Sequence, residues 1–319
     1  MVVVCGEGLI DMVPAQCGGS QGYVPRPGGS PLNVAIGLAR LDVPVAFLGR
    51  LSRDRFGRRL VQHLQDNAVE LRYLGDGPEV SSLAFVHNEP GQEAQYAFYS
   101  ENSADRNLLA TDLPDSFDDD VNALHFGSIS LMMEPSASTL ELCMRREHGA
   151  RLVTLDPNVR AQLIADADGY RRRLDGWVRL SDLVKVSRAD LQWLYPARSI
   201  EQVAQRWRGL GAGVVVVTLG IDGAVAFGPG ATATRPAVPV PVIDTVGAGD
   251  AFMAGALAWL HHASLLDRTS LNGITTGELT ALLGYANQVS ALTCTRAGAD
   301  PPRLDELADS PLERGGFAT

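Results

Sequence analysis

Short runs of continuous apolar residues, separated by stretches long enough for helices, recur along the chain. Continuous rather than alternating apolarity is typical of strands buried on both faces of a parallel sheet. Amphipathic stretches at 31–42 and 199–211 lie between such runs, and the second opens with the favoured cap residue Ser199 and closes with Gly211. This alternation predicts an α/β fold with a doubly wound sheet and right-handed crossovers. The runs cover residues 1–6, 43–49, 123–128, 151–156, 182–187 and 214–220.

Two stretches depart from this pattern. Residues 81–100 fit two alternating strands around the turn NEPGQ, and residues 8–25 fit a second pair of strands. We expect these pairs to form a small, half-exposed β-sheet beside the main sheet, in the position of a lid. Because neither stretch splits the α/β pattern, we expect a single domain over 1–319, with a frayed tail at 310–319.

The charge of the chain limits its partners. A formal net charge of −10 argues against binding to nucleic acid or to an anionic membrane. No run reaches the roughly 18 apolar residues of a membrane span, and residues 1–14 lack the pattern of a signal peptide. The cysteines are far apart, and no cluster of Cys and His resembles a metal cage. We therefore expect a cytoplasmic protein with reduced thiols at Cys5, Cys17, Cys143 and Cys294.

The segment IDTVGAGDAFMAG at 243–255 places a glycine-rich turn between a strand-like run and a helix-like run. The start of a helix offers N–H donors and a positive potential, and glycine allows close approach of an anion. The amides of Gly247, Ala248 and Gly249 are thus a candidate phosphate pocket, with Asp250 as a candidate base. The alternative from this segment alone is a plain glycine turn whose aspartate caps a helix. The segment is neither a Walker loop nor a Rossmann fingerprint.

A second glycine segment, PGGSPLNVA at 27–35, has a Gly28–Gly29 turn followed by Asn33 in the first turn of a helix. Together with DTVGAGDAF at 244–252, it resembles the paired signatures of the ribokinase-like (PfkB) carbohydrate kinase family, over about residues 1–300. The resemblance implies a Rossmann-like three-layer α/β/α sandwich with a β-sheet lid. It also implies ATP-dependent phosphorylation of a primary hydroxyl of a free sugar.

The resemblance assigns roles to individual residues. Asp250 corresponds to the catalytic base, and Gly247, Ala248 and Gly249 correspond to the anion hole. Residues matching the sugar site are Asp11, Gly29, Asn33, Tyr99 and Arg160. Without the resemblance, Asn33 would be a helix cap, Asp11 a turn residue, and Arg160 a partner in a surface ion pair.

ATP and Mg²⁺ are the implied cosubstrate and metal, with K⁺ as an additional candidate ion. Nucleotide contacts fall on Lys185, Thr218, Gly220, Gly223, Gly249 and Asn287, and a monovalent-cation site falls on Asp244, Val246 and Gly298. Many relatives carry N-x-x-E in the magnesium region, where this chain has Ser187 and Asp190. Asp190 is therefore a candidate for the magnesium region, and the local metal arrangement is left open. Each of these positions has an alternative as a turn glycine or as helix packing.

The chain is most similar to the fructokinase branch, which implies formation of fructose 6-phosphate. In the ketodeoxygluconate branch, a tyrosine is followed closely by an arginine that holds the substrate carboxylate, whereas Tyr99 here is followed by Ser100. A ketodeoxygluconate kinase, a ribokinase and a catalytically silent sugar or nucleotide sensor remain alternatives, and Arg106 or Arg160 could supply the missing charge. The exposed edges of the lid sheet predict a possible homodimer.

Overall fold

The computed structural model describes residues 1–87 and 95–308. The strands are β1 (Val2–Cys5), β2 (Leu9–Cys17), β3 (Ser20–Gly28), β4 (Val45–Ser52), β5 (Leu74–Gly77), β6 (Leu83–His87), β7 (Gln95–Tyr99), β8 (Ala123–Gly127), β9 (Leu152–Asp156), β10 (Leu183–Ser187), β11 (Val214–Thr218), β12 (Ala224–Gly228) and β13 (Ala231–Arg235). The helices are α1 (Ser30–Arg40), α2 (Arg55–Asp66), α3 (Ser136–Glu147), α4 (Ala167–Arg179), α5 (Arg188–Leu194), α6 (Ile200–Leu210), α7 (Ala248–His262), α8 (Arg268–Asn272), α9 (Thr276–Cys294) and α10 (Leu304–Ala308).

Nine strands form the central sheet, in the order β13-β12-β11-β10-β9-β8-β1-β4-β5. The pairs from β11 to β5 are parallel, and β12 and β13 add an antiparallel edge. The predicted α/β class is confirmed, and each of the six predicted apolar runs overlaps a strand of this sheet, although β4 extends past the predicted 43–49 to Ser52.

Successive residues of the central strands pack into two different cores. Val2 and Val4 of β1 join a cluster with α1, α7 and α9, whereas Val3 and Cys5 join a cluster with α3, α4 and α6. All four side chains are fully buried. Helices on both faces explain why these strands are apolar throughout rather than alternating. The result is a three-layer α/β/α arrangement.

A second, separate sheet of four strands has the order β3-β2-β6-β7. It includes the two segments predicted to form a lid, and we call it the lid for that reason. Two antiparallel hairpins, β2–β3 and β6–β7, are joined by parallel pairing of β2 with β6. Both predicted strand pairs are therefore confirmed. The predicted turn at 88–92 and the predicted frayed tail at 310–319 lie outside the described residues. Within 1–87 and 95–308, no helix has the length and apolarity needed to cross a membrane.

Candidate active site

The first turns of α1 and α7 meet at Asp250. Ser30 donates its hydroxyl to Asp250 Oδ1 at 2.7 Å, and the Asn33 amide donates to Asp250 Oδ2 at 2.8 Å. Asp250 is 7% exposed. Burial raises the pKa of Asp250, and the two hydrogen bonds and Lys185 oppose that rise. A carboxylate with a raised pKa accepts a proton more readily, which suits a general base.

A glycine turn precedes Asp250 at the start of α7. Gly247 has φ = 77°, and a Cβ on it would lie 2.5 Å from Ala299 Cβ, so only glycine fits this position without strain. The Ala248 amide donates to the Thr245 carbonyl at 3.2 Å. The phosphate pocket predicted at 247–249 would therefore depend on Gly247 and Gly249 more than on Ala248. The turn still presents a helix N-terminus beside the base.

A buried ion pair between two neighbouring strands lies against this turn. Lys185 in the middle of β10 places its Nζ 2.7 Å from Oδ2 of Asp156, the last residue of β9. Burial lowers the pKa of Lys185, but Asp156 together with Asp250 and Asp190 raises it overall, so the ammonium stays charged. The same Nζ lies 3.0 Å from where a Cβ on Gly249 would be. A cation is thus held within reach of an anion bound at the turn.

Asp11 lies on the lid strand β2 and reaches back over Gly28. Its Oδ2 is 2.1 Å from where a Cβ on Gly28 would be, so glycine makes room for the carboxylate. Burial raises the pKa of Asp11 to about 7, the charge of Asp250 adds to this rise, and Arg160 opposes it. Gly29 has φ = 105° and packs against the Glu7 carbonyl. The carboxylate of Asp11 thus lies within the field of Asp250, and Gly29 directly precedes Ser30, the donor to Asp250.

Arg160 and Tyr96 form the neighbouring wall. The Arg160 guanidinium lies 5.6 Å from the centre of the Tyr96 ring, and its Nη1 donates to Asn158 Oδ1 at 2.7 Å. Burial raises the pKa of Tyr96 to about 12, and Asp11 adds to this rise. The guanidinium of Arg160 therefore already interacts with the side-chain oxygen of Asn158, the face of the Tyr96 ring and the negative charge of Asp11.

Residues 1–306 match the sequence profile of the pfkB family carbohydrate kinases. The chain belongs to the pfkB family of carbohydrate kinases. It is 40% identical over 269 residues to a fructokinase of Rhizobium leguminosarum bv. trifolii, covering 84% of this chain and 82% of the relative. It is 35% identical over 316 residues to fructokinase-1 of Oryza sativa subsp. japonica, covering 96% of this chain and 95% of the relative.

Solved structures agree with this pfkB assignment. Fructokinase from Xylella fastidiosa with bound ATP superposes with a TM-score of 0.88 at 28% identity, covering 96% of both chains. Fructokinase from Vibrio cholerae O395 with bound fructose, ADP and calcium ion superposes with a TM-score of 0.82 at 31% identity, covering 96% of this chain and 97% of that one. The predicted ribokinase-like fold is confirmed, and this chain is a carbohydrate kinase, a phosphotransferase.

Tyr99 is one predicted sugar contact that the structure of this pfkB kinase does not bring to the site. Strand neighbours alternate between the two faces of a sheet. Asp11 pairs with Ala84, and Ala84 pairs with Phe98, so Phe98 shares the face of Asp11 and Tyr99 lies on the opposite face. Tyr99 is 64% exposed. The tyrosine that faces Arg160 is Tyr96, and strand alternation with the correct register would have found it.

Asn287 and the loop after β11 surround the expected nucleotide region of the kinase. Gly220 and Gly223 have φ of 66° and 94°, and a Cβ on Gly223 would meet the Arg235 carbonyl at 2.0 Å. Asn287 donates to the Pro236 carbonyl at 2.9 Å, so its amide holds the backbone after β13. Thr218 ends β11 beside this loop. These contacts give Asn287 a positioning role in the structure as it stands.

The two candidate cation regions use their polar atoms internally. Asp244 accepts the amides of Val246 and Gly298 at 3.1 and 2.8 Å. Asp190 and Ser187 cap α5 reciprocally, with the Asp190 amide donating to Ser187 Oγ at 3.0 Å. Burial raises the pKa of Asp190, and the nearby Asp156 adds to this rise. Among the described residues, no group of three or more Asp, Glu, His or Cys could hold a metal ion alone.

Ser30 and Glu7 are site neighbours that sequence reasoning missed. Ser30 follows a glycine turn and precedes a proline, a pattern typical of a helix start rather than of a base-holding donor. Glu7 follows β1 and accepts the Ser130 amide at 3.2 Å while only 1% exposed. Burial raises the pKa of Glu7 to about 7. The continuous apolar pattern of β1 gave no signal for a buried carboxyl directly after it.

Proposed function

We propose that this kinase transfers the terminal phosphoryl group of ATP to the primary hydroxyl of free fructose, forming fructose 6-phosphate. One observation carries the proposal. Asp250, fixed at both oxygens by Ser30 and Asn33, stands at the start of α7 within the electrostatic range of both Lys185 and Asp11. A base, an anion pocket, a cation and a hydroxyl-binding carboxylate are the parts that phosphoryl transfer to an alcohol needs.

The chain's own groups account for each part of the transfer. Asp11 accepts hydrogen bonds from neighbouring sugar hydroxyls and orients the ring. Asp250 takes the proton of the primary hydroxyl as its oxygen bonds to the terminal phosphorus of ATP. The bond between that phosphorus and the bridging oxygen breaks, and its electron pair leaves with ADP. Lys185 and the amides of Gly247 and Gly249 stabilise the charge that develops on the phosphoryl oxygens.

Magnesium fits this site mainly through ligands that are not protein groups. Mg²⁺ in kinases is commonly held by one or two carboxylates together with substrate phosphates and water. Asp190, with Asp156 close by, offers such carboxylates at the strand ends near Lys185. When bound, Mg²⁺ would neutralise phosphate charge. The Asp244 and Gly298 region is proposed for K⁺, as the sequence predicts.

The rest of the proposal concerns location and assembly. The need for ATP supports a cytoplasmic enzyme. A homodimer through the lid is supported by the face that carries Tyr23, Phe85 and Tyr99, whose rings pack edge to face at 4.9 and 5.4 Å. Tyr23 and Tyr99 are 42% and 64% exposed there, and β3 and β7 are the edges of the lid sheet.

A second candidate substrate is 2-keto-3-deoxygluconate, which Arg160 favours because it lies on the sugar side of the lid. Arg106 is less suited, since it donates to the Glu134 carbonyl at 3.1 Å. Because Arg160 already has partners, we expect the enzyme to prefer the neutral sugar. A missing charge-assisted hydrogen bond is worth ~1.5–3 kcal/mol, or roughly 10–150-fold in kcat/KM.

Competition between the two sugars for limiting enzyme and ATP tests this preference. The expected result is a kcat/KM for fructose at least 10-fold above that for the acid sugar, by the same conversion. Equal or better turnover of the acid would overturn the fructose assignment. In that case Arg160→Gln should remove the acid activity, with Arg106→Gln as the matched control. A protein that binds both sugars and ATP without turnover would instead be a sensor.

A further inference from the structure

A buried polar cluster joins the lid hairpin β6–β7 to the main fold. We call Ser82, Ser103 and Asp105 the pivot cluster: Ser82 precedes β6, and the other two follow β7. Ser82 Oγ donates to Asp105 Oδ1 at 2.6 Å and lies 2.8 Å from Ser103 Oγ. Ser103 Oγ also lies 3.0 Å from the Ser100 carbonyl oxygen. Both serines are fully buried and Asp105 is 5% exposed. One carboxylate therefore ties together the incoming and the outgoing leg of the hairpin.

Neutral groups satisfy this carboxylate. Its donors are the hydroxyls of Ser82 and Ser103 and the backbone amides of Asp105 and Arg106. A buried carboxylate is costly unless its hydrogen bonds are kept. Moving Asp105 away from these donors would therefore cost free energy. While Asp105 keeps its hydrogen bonds, the two legs of the hairpin keep their separation.

The static part of the protein holds the pivot cluster from both sides. The Asp105 carbonyl accepts the hydroxyl of Ser136 on α3 at 2.8 Å. On the other side, Ser81 donates its hydroxyl to Asp54, the cap residue of α2, at 2.8 Å. Both legs of the hairpin are thus pinned to helices that pack on the central sheet.

The cluster is also one residue away from the sugar side of the lid. The Ile10 amide donates to the Ser82 carbonyl at 3.0 Å. The next residue, Asp11, pairs with Ala84 in β6. Any shift of Ser82 is therefore passed directly to the strand that carries the carboxylate expected to bind the sugar.

We propose that Asp105 is a positioning residue that fixes the pivot of the lid and thereby sets the position of Asp11 relative to Asp250. The proposal adds to the proposed sugar-kinase function and depends on it for its catalytic consequence. Without Asp105, both legs lose their common anchor, the lid opens more often, and the sugar is held less tightly. A poorly closed lid also admits water as a competing acceptor of the phosphoryl group.

Hydrogen exchange in the unliganded protein tests the pivot without reference to any substrate. In Asp105→Ala, we expect amides of 83–87 and 95–99 to exchange about 10-fold faster or more, from the loss of hydrogen bonds to a charged group. The matched control is Asp182→Ala. Asp182 is also a buried carboxyl, 4% exposed, but it accepts the Val153 amide at 2.9 Å between α4 and β10, away from the lid. Unchanged lid exchange in Asp105→Ala, or an equal rise in Asp182→Ala, would overturn the proposal.

Steady-state kinetics supply the second test, because a general loss of stability would not change the KM for the sugar selectively. Asp105→Ala should raise KM for the sugar about 10-fold or more, leave KM for ATP within about twofold, and raise the ratio of ATP hydrolysed to sugar phosphorylated. An equal rise in both KM values would contradict the pivot role. If Asp105→Ala does not fold, the Ser82→Ala/Ser103→Ala double variant takes its place with the same expectations. If the wild-type protein phosphorylates no sugar, the proposed function is wrong. The hydrogen-exchange experiment would still show whether Asp105 anchors the lid hairpin.

Discussion

At the scale of the residue, the basicity of Asp250 is set by opposing effects on one carboxyl group. Burial raises its pKa, whereas the hydrogen bonds from Ser30 and Asn33 lower it. Removing a donor therefore leaves the raising effect less opposed. Since a base works only when it is deprotonated, activity falls as the pH falls through the pKa of that base.

The variant Ser30→Ala should move the acidic limb of the kcat/KM profile toward higher pH by about one unit. That shift corresponds to the loss of one hydrogen bond to a charged group. The matched control is Ser181→Ala, because Ser181 is also buried but donates to the Trp177 carbonyl at 2.8 Å, away from the site. A pH profile that is the same in Ser30→Ala and wild type would contradict the role given to Ser30.

At the scale of the element, the start of α7 depends on a turn that accepts only glycine. Gly247→Ala should weaken ATP binding and destabilise the protein, because it combines a positive φ with a Cβ 2.5 Å from Ala299 Cβ. Gly230 is the matched control, since it has φ = 68° and nothing within 4 Å of an added Cβ. In urea unfolding, we expect Gly230→Ala to lower the free energy of unfolding by about 1–2 kcal/mol, which is the backbone strain alone. Gly247→Ala should lower it by clearly more, because it adds the contact with Ala299. Equal losses would show that the contact with Ala299 does not matter.

Elements with strong apolar patterns were predictable, and those without them were not. The parallel strands and α1 follow from buried runs such as Val2–Cys5 and from helical spacing in 31–42. Strand β5 (Leu74–Gly77) has the sequence LGDG, whose glycines and aspartate give no strand signal, and pairing with β4 alone makes it a strand. The position of Asp250 could be predicted because its motif places a glycine turn at the start of a helix. The strand-like run before that turn is not a strand, since β13 ends at Arg235 and Val242 and Ile243 are exposed. The choice between Tyr96 and Tyr99 could not be predicted, because it depends on the register of the lid.

At the scale of the whole molecule, Glu7 makes folding depend on pH. Its pKa is about 7 in the folded protein against 4.5 in the unfolded chain, so the folded state binds the proton more tightly. Stability from this group is therefore full below pH 4.5 and falls as the pH rises to about 7. The shift amounts to ~3 kcal/mol.

The variant Glu7→Gln has no proton to lose and should not show this fall. We expect its free energy of unfolding minus that of wild type to increase by about 3 kcal/mol between pH 4.5 and 7.5, because only wild type loses stability over that range. Urea unfolding at both pH values measures the difference, and the proposed single domain requires one cooperative transition. A constant difference across that range would contradict the assignment of a raised pKa to Glu7.

The most direct test of the whole account is the rate of ATP-dependent fructose phosphorylation by Asp250→Asn. We predict that wild type forms fructose 6-phosphate, whereas the variant folds, binds ATP and fructose, and loses ~10²–10⁴-fold in kcat, the usual contribution of a general base. Binding measured separately by calorimetry shows whether the loss lies in chemistry rather than in affinity. A variant that binds normally and keeps more than about a tenth of the wild-type kcat, far short of that ~10²-fold minimum, would contradict the central role of Asp250.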